Sequence, residues 1–228
     1  MPGSPAISLR QAAKLKAKKH RESERLFLAE GESLIRESQG PPKMLFDEPA
    51  EVRRLSTLTT PTGPVGVFPF VDVPAGTLLS RAGHIVLLHG VQDPGNVGAI
   101  IRSAHAFEAG VALSKRCADL YNPKTVRATM GSIFHVPVAR EVESLDFLQQ
   151  AQRAGFSTVA AIPGSGASPP SLPRGRIVIA VGAEGSGLPE EVVEASETRV
   201  TIPSRAASLN AAIAASILLY EAYMRMLP

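Results

Sequence analysis

From position 84 onward, apolar residues come in short unbroken runs, separated by stretches where they recur every three or four positions. The run IVLLHG (85–90) has no polar interruption until its end, as expected of a strand buried on both faces. Similar runs predict strands near 110–114, 133–138, 156–162, 176–182 and 198–202. Helical spacing predicts helices over 96–107, 124–130, 143–154, 189–196 and 209–226. Strand–helix alternation of this kind implies an α/β domain with a parallel sheet covered on both faces, whose ligands bind beyond the carboxyl ends of the strands.

The first part of the chain has a different rhythm. One helix is expected from Ser8 to Arg25, followed by the strand LFLAEG, a short helix over ESLIRES, a strand in PPKMLFD, a helical turn in EPAEVRRLS and a strand in GPVGVFPFV. Residues 1–75 therefore read as a small α/β unit. Pro74 and Gly76 break the pattern, so 76–83 is expected to be a linker and 84–228 a second domain. The stretch GSGASPPSLPRG (164–175) is expected to be a mobile loop.

Three segments carry candidate chemistry. In HGVQDPGNVGAIIRSAHAF (89–107), Ile100, Ile101, Ala104 and Phe107 should face the core, and Arg102 the opposite side. Gly98, one turn earlier, would leave a bare surface beside the guanidinium; the plain alternative is a helix capped by Asn96 with a surface arginine. In IVIAVGAEGSGLPEEV (177–192), a buried strand enters a turn with three glycines. It either admits a ligand close to the backbone or is simply a turn, and it does not match G-x-G-x-x-G. In VTIPSRAASLNAAIAASILLYEAYMRML (200–227), Leu209, Ile213, Ile217, Tyr220 and Met224 form one stripe, which reads as a core face. Ala211, Ala212, Ala214 and Ala215 make the other faces small, and Ser208 and Asn210 either cap the helix or bind a ligand at its N-terminus.

Composition narrows the classes. The 228 residues are 44% hydrophobic and 20% charged, which supports a core and excludes a disordered chain. Net charge is only +3, yet Arg10, Lys14, Lys16, Lys18, Lys19, Arg21 and Arg25 crowd the start, forming either a solvated helix face or a phosphate-contacting arm. A single cysteine, Cys117, excludes an intrachain disulfide and suits a reducing compartment. The polar, basic start does not read as a signal peptide. Ser208, Asn210, Glu221 and Arg225 interrupt the apolar C-terminal stretch, so no membrane span is expected. The five histidines lack metal-ligand spacing, although His105, one turn after Arg102, is a possible site residue.

Together the three segments resemble the signature motifs of the SpoU (TrmH) family of RNA ribose methyltransferases, of the SPOUT class. The residues concerned are Asn96, Gly98 and Arg102; Gly182, Glu184, Gly185 and Gly187; and Ile202, Pro203, Ser208, Leu209 and Asn210. NPKTVRATMGSIFHVPV (122–138) is similar to the family's middle region, and the N-terminal unit to its substrate-binding domain, so nearly the whole chain is covered. The departures are a shortened N-terminal domain, a short loop before Ser208, Glu108 where glycine is common, and Ala211–Ala212 where a second small polar residue often stands.

The resemblance implies a parallel-sheet α/β domain with a deep trefoil knot, preceded by a small α/β RNA-binding domain. It implies S-adenosylmethionine held by Ala161, Gly182, Ala183, Glu184, Gly185, Gly187, Ile202, Ser208 and Leu209. The groups acting on the ribose would be Arg102, Asn96, Ser208, Asn210 and Glu184, and those contacting RNA Arg10, Lys14, Lys18, Lys19, Arg21, Arg102 and Arg127. It further implies 2′-hydroxyl methylation of structured RNA, ribosomal rather than transfer RNA, by a cytoplasmic homodimer without a metal or membrane association. A non-catalytic RNA-binding protein on the same fold is the alternative.

Overall fold

A computed structural model describes residues 7–226; the outermost residues of both expected domains lie outside it. In place of one helix from Ser8 to Arg25 there are two, α1 (Leu9–Lys14) and α2 (Lys18–Glu24). The break is held by a distant contact. The Arg21 guanidinium donates to the Leu15 and Lys16 carbonyls at 2.8 and 2.7 Å and pairs with Asp119 at 2.5 Å. Carbonyls freed by the interruption thus keep partners.

Strands β1 (Leu26–Glu30), β2 (Met44–Phe46) and β3 (Val65–Pro69) form an antiparallel sheet in the order β1-β3-β2, with α3 (Glu32–Arg36) and α4 (Pro49–Leu55) between them. Alternation along β1 sends Leu28 toward α1 and α4, whereas Phe27 and Ala29 join the core beneath the larger sheet. The Phe27 ring lies 4.9 Å from that of Tyr121. The expected linker contains a helix, α5 (Ala75–Arg81), with Leu78 and Leu79 buried against the larger sheet. Pro74 therefore starts a helix here, standing at the cap where its missing N–H costs nothing.

The larger sheet contains β4 (His84–His89), β5 (Ala109–Ser114), β6 (Val138–Val142), β7 (Ser157–Ala161), β8 (Ile177–Gly182) and β9 (Thr198–Val200). All are parallel, in the order β6-β5-β4-β8-β7-β9. This is the α/β parallel-sheet class expected. Residues 133 and 134, expected to begin a strand, lie instead in a 3-10 turn (Ser132–Phe134). Pro137, which has no N–H for the ladder, stands just before β6 begins.

Helices α6 (Pro94–Ala106), α7 (Pro123–Ala128) and α10 (Ala211–Met224) cover one face; α5, α8 (Ser144–Arg153) and α9 (Glu190–Glu194) cover the other. After β9 at the sheet edge, the chain returns to the centre, where α10 packs on β4, β8 and α6. The face of α10 turned inward reverses the expectation. Ala211, Ala212, Ala215, Leu218, Leu219 and Ala222 are buried, while Ile213, Ile217, Tyr220 and Met224 lie exposed. The small residues let α10 sit close to the sheet, leaving the larger stripe outside.

The 164–175 stretch is tied down rather than free. The Gly166 N–H donates to Thr201 Oγ1 at 2.8 Å, and Pro169 and Leu172 are buried. No helix among the described residues is long and apolar enough to cross a membrane.

Candidate active site

Helix α6 starts at the carboxyl end of β4. Its cap is Asp93, not Asn96: the Asp93 carboxylate accepts the Asn96 N–H at 2.9 Å. That leaves the Asn96 side chain free, and its Nδ2 donates to Glu184 Oε1 at 2.9 Å. Asn210 Nδ2 donates to the same oxygen at 2.5 Å and to Asn96 Oδ1 at 3.1 Å. Asn210 is also the cap of α10, its Oδ1 accepting from the Ala212 and Ile213 N–H groups at 2.9 and 3.2 Å. The capping reading of Asn210 thus holds, and its amide nitrogen is engaged by Glu184 and Asn96. The Ala211 N–H adds a third contact to Glu184 Oε1, at 3.3 Å. One carboxylate therefore joins the N-termini of α6 and α10 to the turn after β8.

That turn depends on its glycines for different reasons. Gly187 donates its N–H to the Ala183 carbonyl at 2.9 Å. A Cβ on Gly182 would sit 2.1 Å from the Gly187 carbonyl carbon and 2.3 Å from its oxygen, so only glycine permits the closed turn. Gly185 and Gly187 have φ of +90° and +66°, which glycine adopts without strain. Because β8, β7 and β9 are neighbours, Ala161, Gly182 and Ile202 leave the sheet side by side. They are half-buried, as is Leu209.

Not every expected residue joins this cluster. Ser208 is exposed and makes no side-chain hydrogen bond among the described residues. Arg102 is exposed on α6 and makes no bond to the Glu184 cluster; it lines a cleft of about 550 Å³ with Ser103, Phe107, Ala128, Ile217 and Tyr220. Gly98 presents no bare surface to a ligand: a Cβ there would lie 2.4 Å from Ala128 Cβ and 2.8 Å from the Thr125 carbonyl, so this glycine lets α7 cross α6. His105 belongs to neither cluster; it stacks on His135 with ring centres 4.6 Å apart.

The basic residues divide. Arg10, Lys14, Lys18 and Lys19 are exposed. Arg21, expected among the RNA contacts, is 3% exposed and committed to Asp119 and two carbonyls. Arg127 donates to Thr57 Oγ1 at 2.8 Å and lies 3.8 Å from Glu30, so it clasps the N-terminal unit instead of offering a free charge. Sequence reasoning passed over Asp93 as the cap, although an acidic residue three positions before Asn96 is the ordinary signal for one.

A second network joins the two units. Arg140 makes a two-pronged pair with Glu22, at 2.6 and 2.9 Å, and reaches Asp72 at 3.1 Å. The Tyr121 hydroxyl donates to Asp72 at 2.6 Å. Arg140 holds the Glu22 carboxyl below its ordinary range. Burial would raise Asp72, but bonds from Tyr121 and Arg140 outweigh it and the net shift is downward.

Comparison with known proteins agrees with this geometry. Residues 83–220 match the SpoU rRNA Methylase family. The 23S rRNA (guanosine(2553)-2′-O)-methyltransferase RlmP of Bacillus subtilis is 31% identical, with 91% of this chain and 92% of that protein aligned. The AdoMet-bound rRNA methyltransferase structure from Sinorhizobium meliloti superposes with a TM-score of 0.84 at 31% identity, over 96% of this chain and 95% of that one. The SpoU methyltransferase AviRb from Streptomyces viridochromogenes, also with AdoMet, gives 0.83 at 25% identity over 95% and 96%. With residues 83–220 matched and Asn96, Glu184 and Asn210 meeting at the carboxyl edge of a parallel sheet, this chain belongs to the SpoU rRNA Methylase family.

Proposed function

We propose that the chain transfers a methyl group from S-adenosylmethionine to a ribose 2′-hydroxyl of structured RNA, ribosomal rather than transfer RNA. The observation that carries this is the meeting of Asn96, Glu184 and Asn210 beside the closed Gly182–Gly187 turn. The backbone at Ala161, Gly182, Ala183, Gly185, Gly187, Ile202 and Leu209, with Ser208 beside it, would hold S-adenosylmethionine. Bound there, it supplies an electrophilic sulfonium methyl.

The protein's part is chiefly positioning. Glu184 fixes the rotamers of Asn96 and Asn210, which then face the ribose. Arg102 is always charged, so its role is to bind the adjacent phosphate and stabilise the alkoxide as the hydroxyl proton leaves, not to take that proton.

Arg102 shares its cleft with Ile217 and Tyr220 of the exposed α10 stripe. A second copy seated on that stripe would cover the cleft and bring a second surface to Arg102, so the working form is a homodimer. Residues 84–228 form the transferring domain, and residues 1–75 an RNA-binding unit presenting Arg10, Lys14, Lys18 and Lys19. The return of the chain from β9 to the sheet centre agrees with a trefoil knot. The place of action is the cytoplasm.

The test is transfer of labelled methyl to undermodified ribosomal and transfer RNA, followed by alkaline digestion. Label in alkali-resistant dinucleotides, lost in Arg102→Ala, is the expected result. Label released in mononucleotides would indicate base methylation instead.

A further inference from the structure

A cleft of about 330 Å³ opens at the carboxyl ends of β4 and β8. Its polar walls are His89, Gln92, Asp93, Asn96, Arg116 and Glu184, and Ala183 and Ser186 of the glycine turn close one side; Ala161, Ile202 and Leu209 take no part in it. The cleft therefore borders the reacting groups through Asn96 and Glu184 and adjoins the proposed cofactor turn through Ala183, while most of its polar groups lie outside that turn.

Its hydrogen-bonding groups differ in what they have left to give. Asp93 is occupied by the Asn96 N–H and by Lys124, at 2.9 and 3.2 Å, and Glu184 Oε1 by Asn96, Asn210 and Ala211. Gln92 and Arg116 are exposed, with no side-chain partner among the described residues. His89, in the cleft wall, bonds Ser144 Oγ through Nδ1 at 2.8 Å, and its Nε2 has no hydrogen-bond partner among the described residues. Burial first, and then the nearby Arg116 charge, hold this imidazole below its ordinary range, so it is neutral at pH 7.

The unclaimed groups thus comprise a guanidinium donor, an amide that both donates and accepts, and a neutral imidazole nitrogen. Two carboxylates in the walls oppose a phosphate, whereas a neutral heterocycle with mixed donors and acceptors on its edge meets no such penalty. Unpaired RNA bases are read in this way, by hydrogen bonds to their edges. Resting on the proposed RNA methyl transfer, we infer that this cleft receives the nucleobase of the target nucleotide, read by Gln92 and Arg116, while its ribose lies at Asn96.

The test compares wild type, Gln92→Ala, Arg116→Ala and the double variant, using S-adenosylmethionine and transcribed, unmodified 23S ribosomal RNA. Both side chains are exposed, so cofactor affinity by calorimetry should be unchanged. The expected result is a fall in kcat/KM of about tenfold or more for each single variant. Label should also spread, in the double variant, from one methylated nucleoside to several. Wild-type kcat/KM and an unchanged single product would overturn the assignment. If wild type transfers no methyl, the underlying reading fails, and the cleft is judged by titrating the four nucleoside monophosphates while following the Gln92 side-chain amide by NMR. A shift with one base and not the others supports it; no shift with any rejects it.

Discussion

Asn96 and Glu184 stand 88 residues apart in the chain and meet through a 2.9 Å hydrogen bond at the carboxyl edge of the sheet. The contact shares its acceptor oxygen with Asn210, so a single carboxylate sets the position of two amides on two helices. Glu184→Ala removes that shared anchor. A displacement of even ~1 Å in reacting groups can cost roughly 100-fold in rate, so kcat should fall by about that much. Glu184→Gln keeps an acceptor oxygen but loses the charge that strengthens each bond, and a smaller loss, about tenfold, is expected. Steady-state kinetics with both variants, beside a melting curve showing that the fold persists, measure the difference.

The Gly182–Gly187 turn gives a prediction of the opposite kind. In Gly182→Ala the new Cβ meets only backbone: the Gly187 carbonyl and the Leu188 N–H nitrogen, at 2.1 to 2.4 Å. Backbone cannot swing aside as a side chain can, so the whole turn must open. Stability should drop by at least about 1–3 kcal/mol, the usual cost of overpacking, and S-adenosylmethionine binding should be lost. Gly185→Ala meets no atom within 4 Å but stands at φ +90°. It should cost only about 1–2 kcal/mol of conformational strain. Denaturant titration and calorimetry on the pair separate the two effects.

Asn96, Glu184 and Asn210, which the structure brings together, come as a set only from the resemblance to the family; on their own residues, Asn96 and Asn210 read equally well as helix caps and the glycine segment as a plain turn. The α10 stripe was misread as core because periodicity marks an apolar face without saying what covers it, and here alanines make the tighter fit. Gly98 was given to a ligand because nothing in one helix announces that another crosses it. The break between α1 and α2 was invisible, since the residue that stabilises it, Arg21, is held by Asp119 at a separation of 98 residues.

The Arg140 network makes domain docking sensitive to acid. Glu22 and Asp72 have folded values below their ordinary 4.5 and 3.8. Each therefore contributes stability that is full above its unfolded value and is lost as pH falls through the depressed folded one. Unfolding midpoints should hold from about pH 7 down to about pH 5 and then decline toward about pH 3. Arg140→Met should be less stable at neutral pH and show a shallower acid decline. Parallel acid limbs for the two proteins would remove Arg140 as the cause.

The exposed face of α10 is expected to be a dimer surface. Ile217 and Tyr220 are 37% and 49% exposed, and both border the Arg102 cleft. Ile217→Asp places a charge on that face without touching the buried one. Light scattering should show wild-type dimers and variant monomers, with circular dichroism unchanged. Methyl transfer should fall with the dimer, because Arg102 loses its covering partner. A wild type that runs as a monomer at micromolar concentration would end this reading.

The basic N-terminal helices separate two roles that charge alone cannot distinguish. Lys14, Lys18 and Lys19 are exposed, so Lys14→Glu/Lys18→Glu/Lys19→Glu should leave stability nearly unchanged. It should weaken RNA binding across sequences and flatten the salt dependence measured from about 50 to about 200 mM, since fewer counterions are released. Arg21 sits in the same run but is buried against Asp119. Arg21→Met leaves that carboxylate without its partner, and breaking a buried pair from one side costs roughly 3–5 kcal/mol. Its RNA affinity, measured on the fraction still folded, should show the wild-type salt slope. A flattened slope in Arg21→Met, or a steep loss of stability in the triple lysine variant, would reverse the assignment of inward and outward faces on α2.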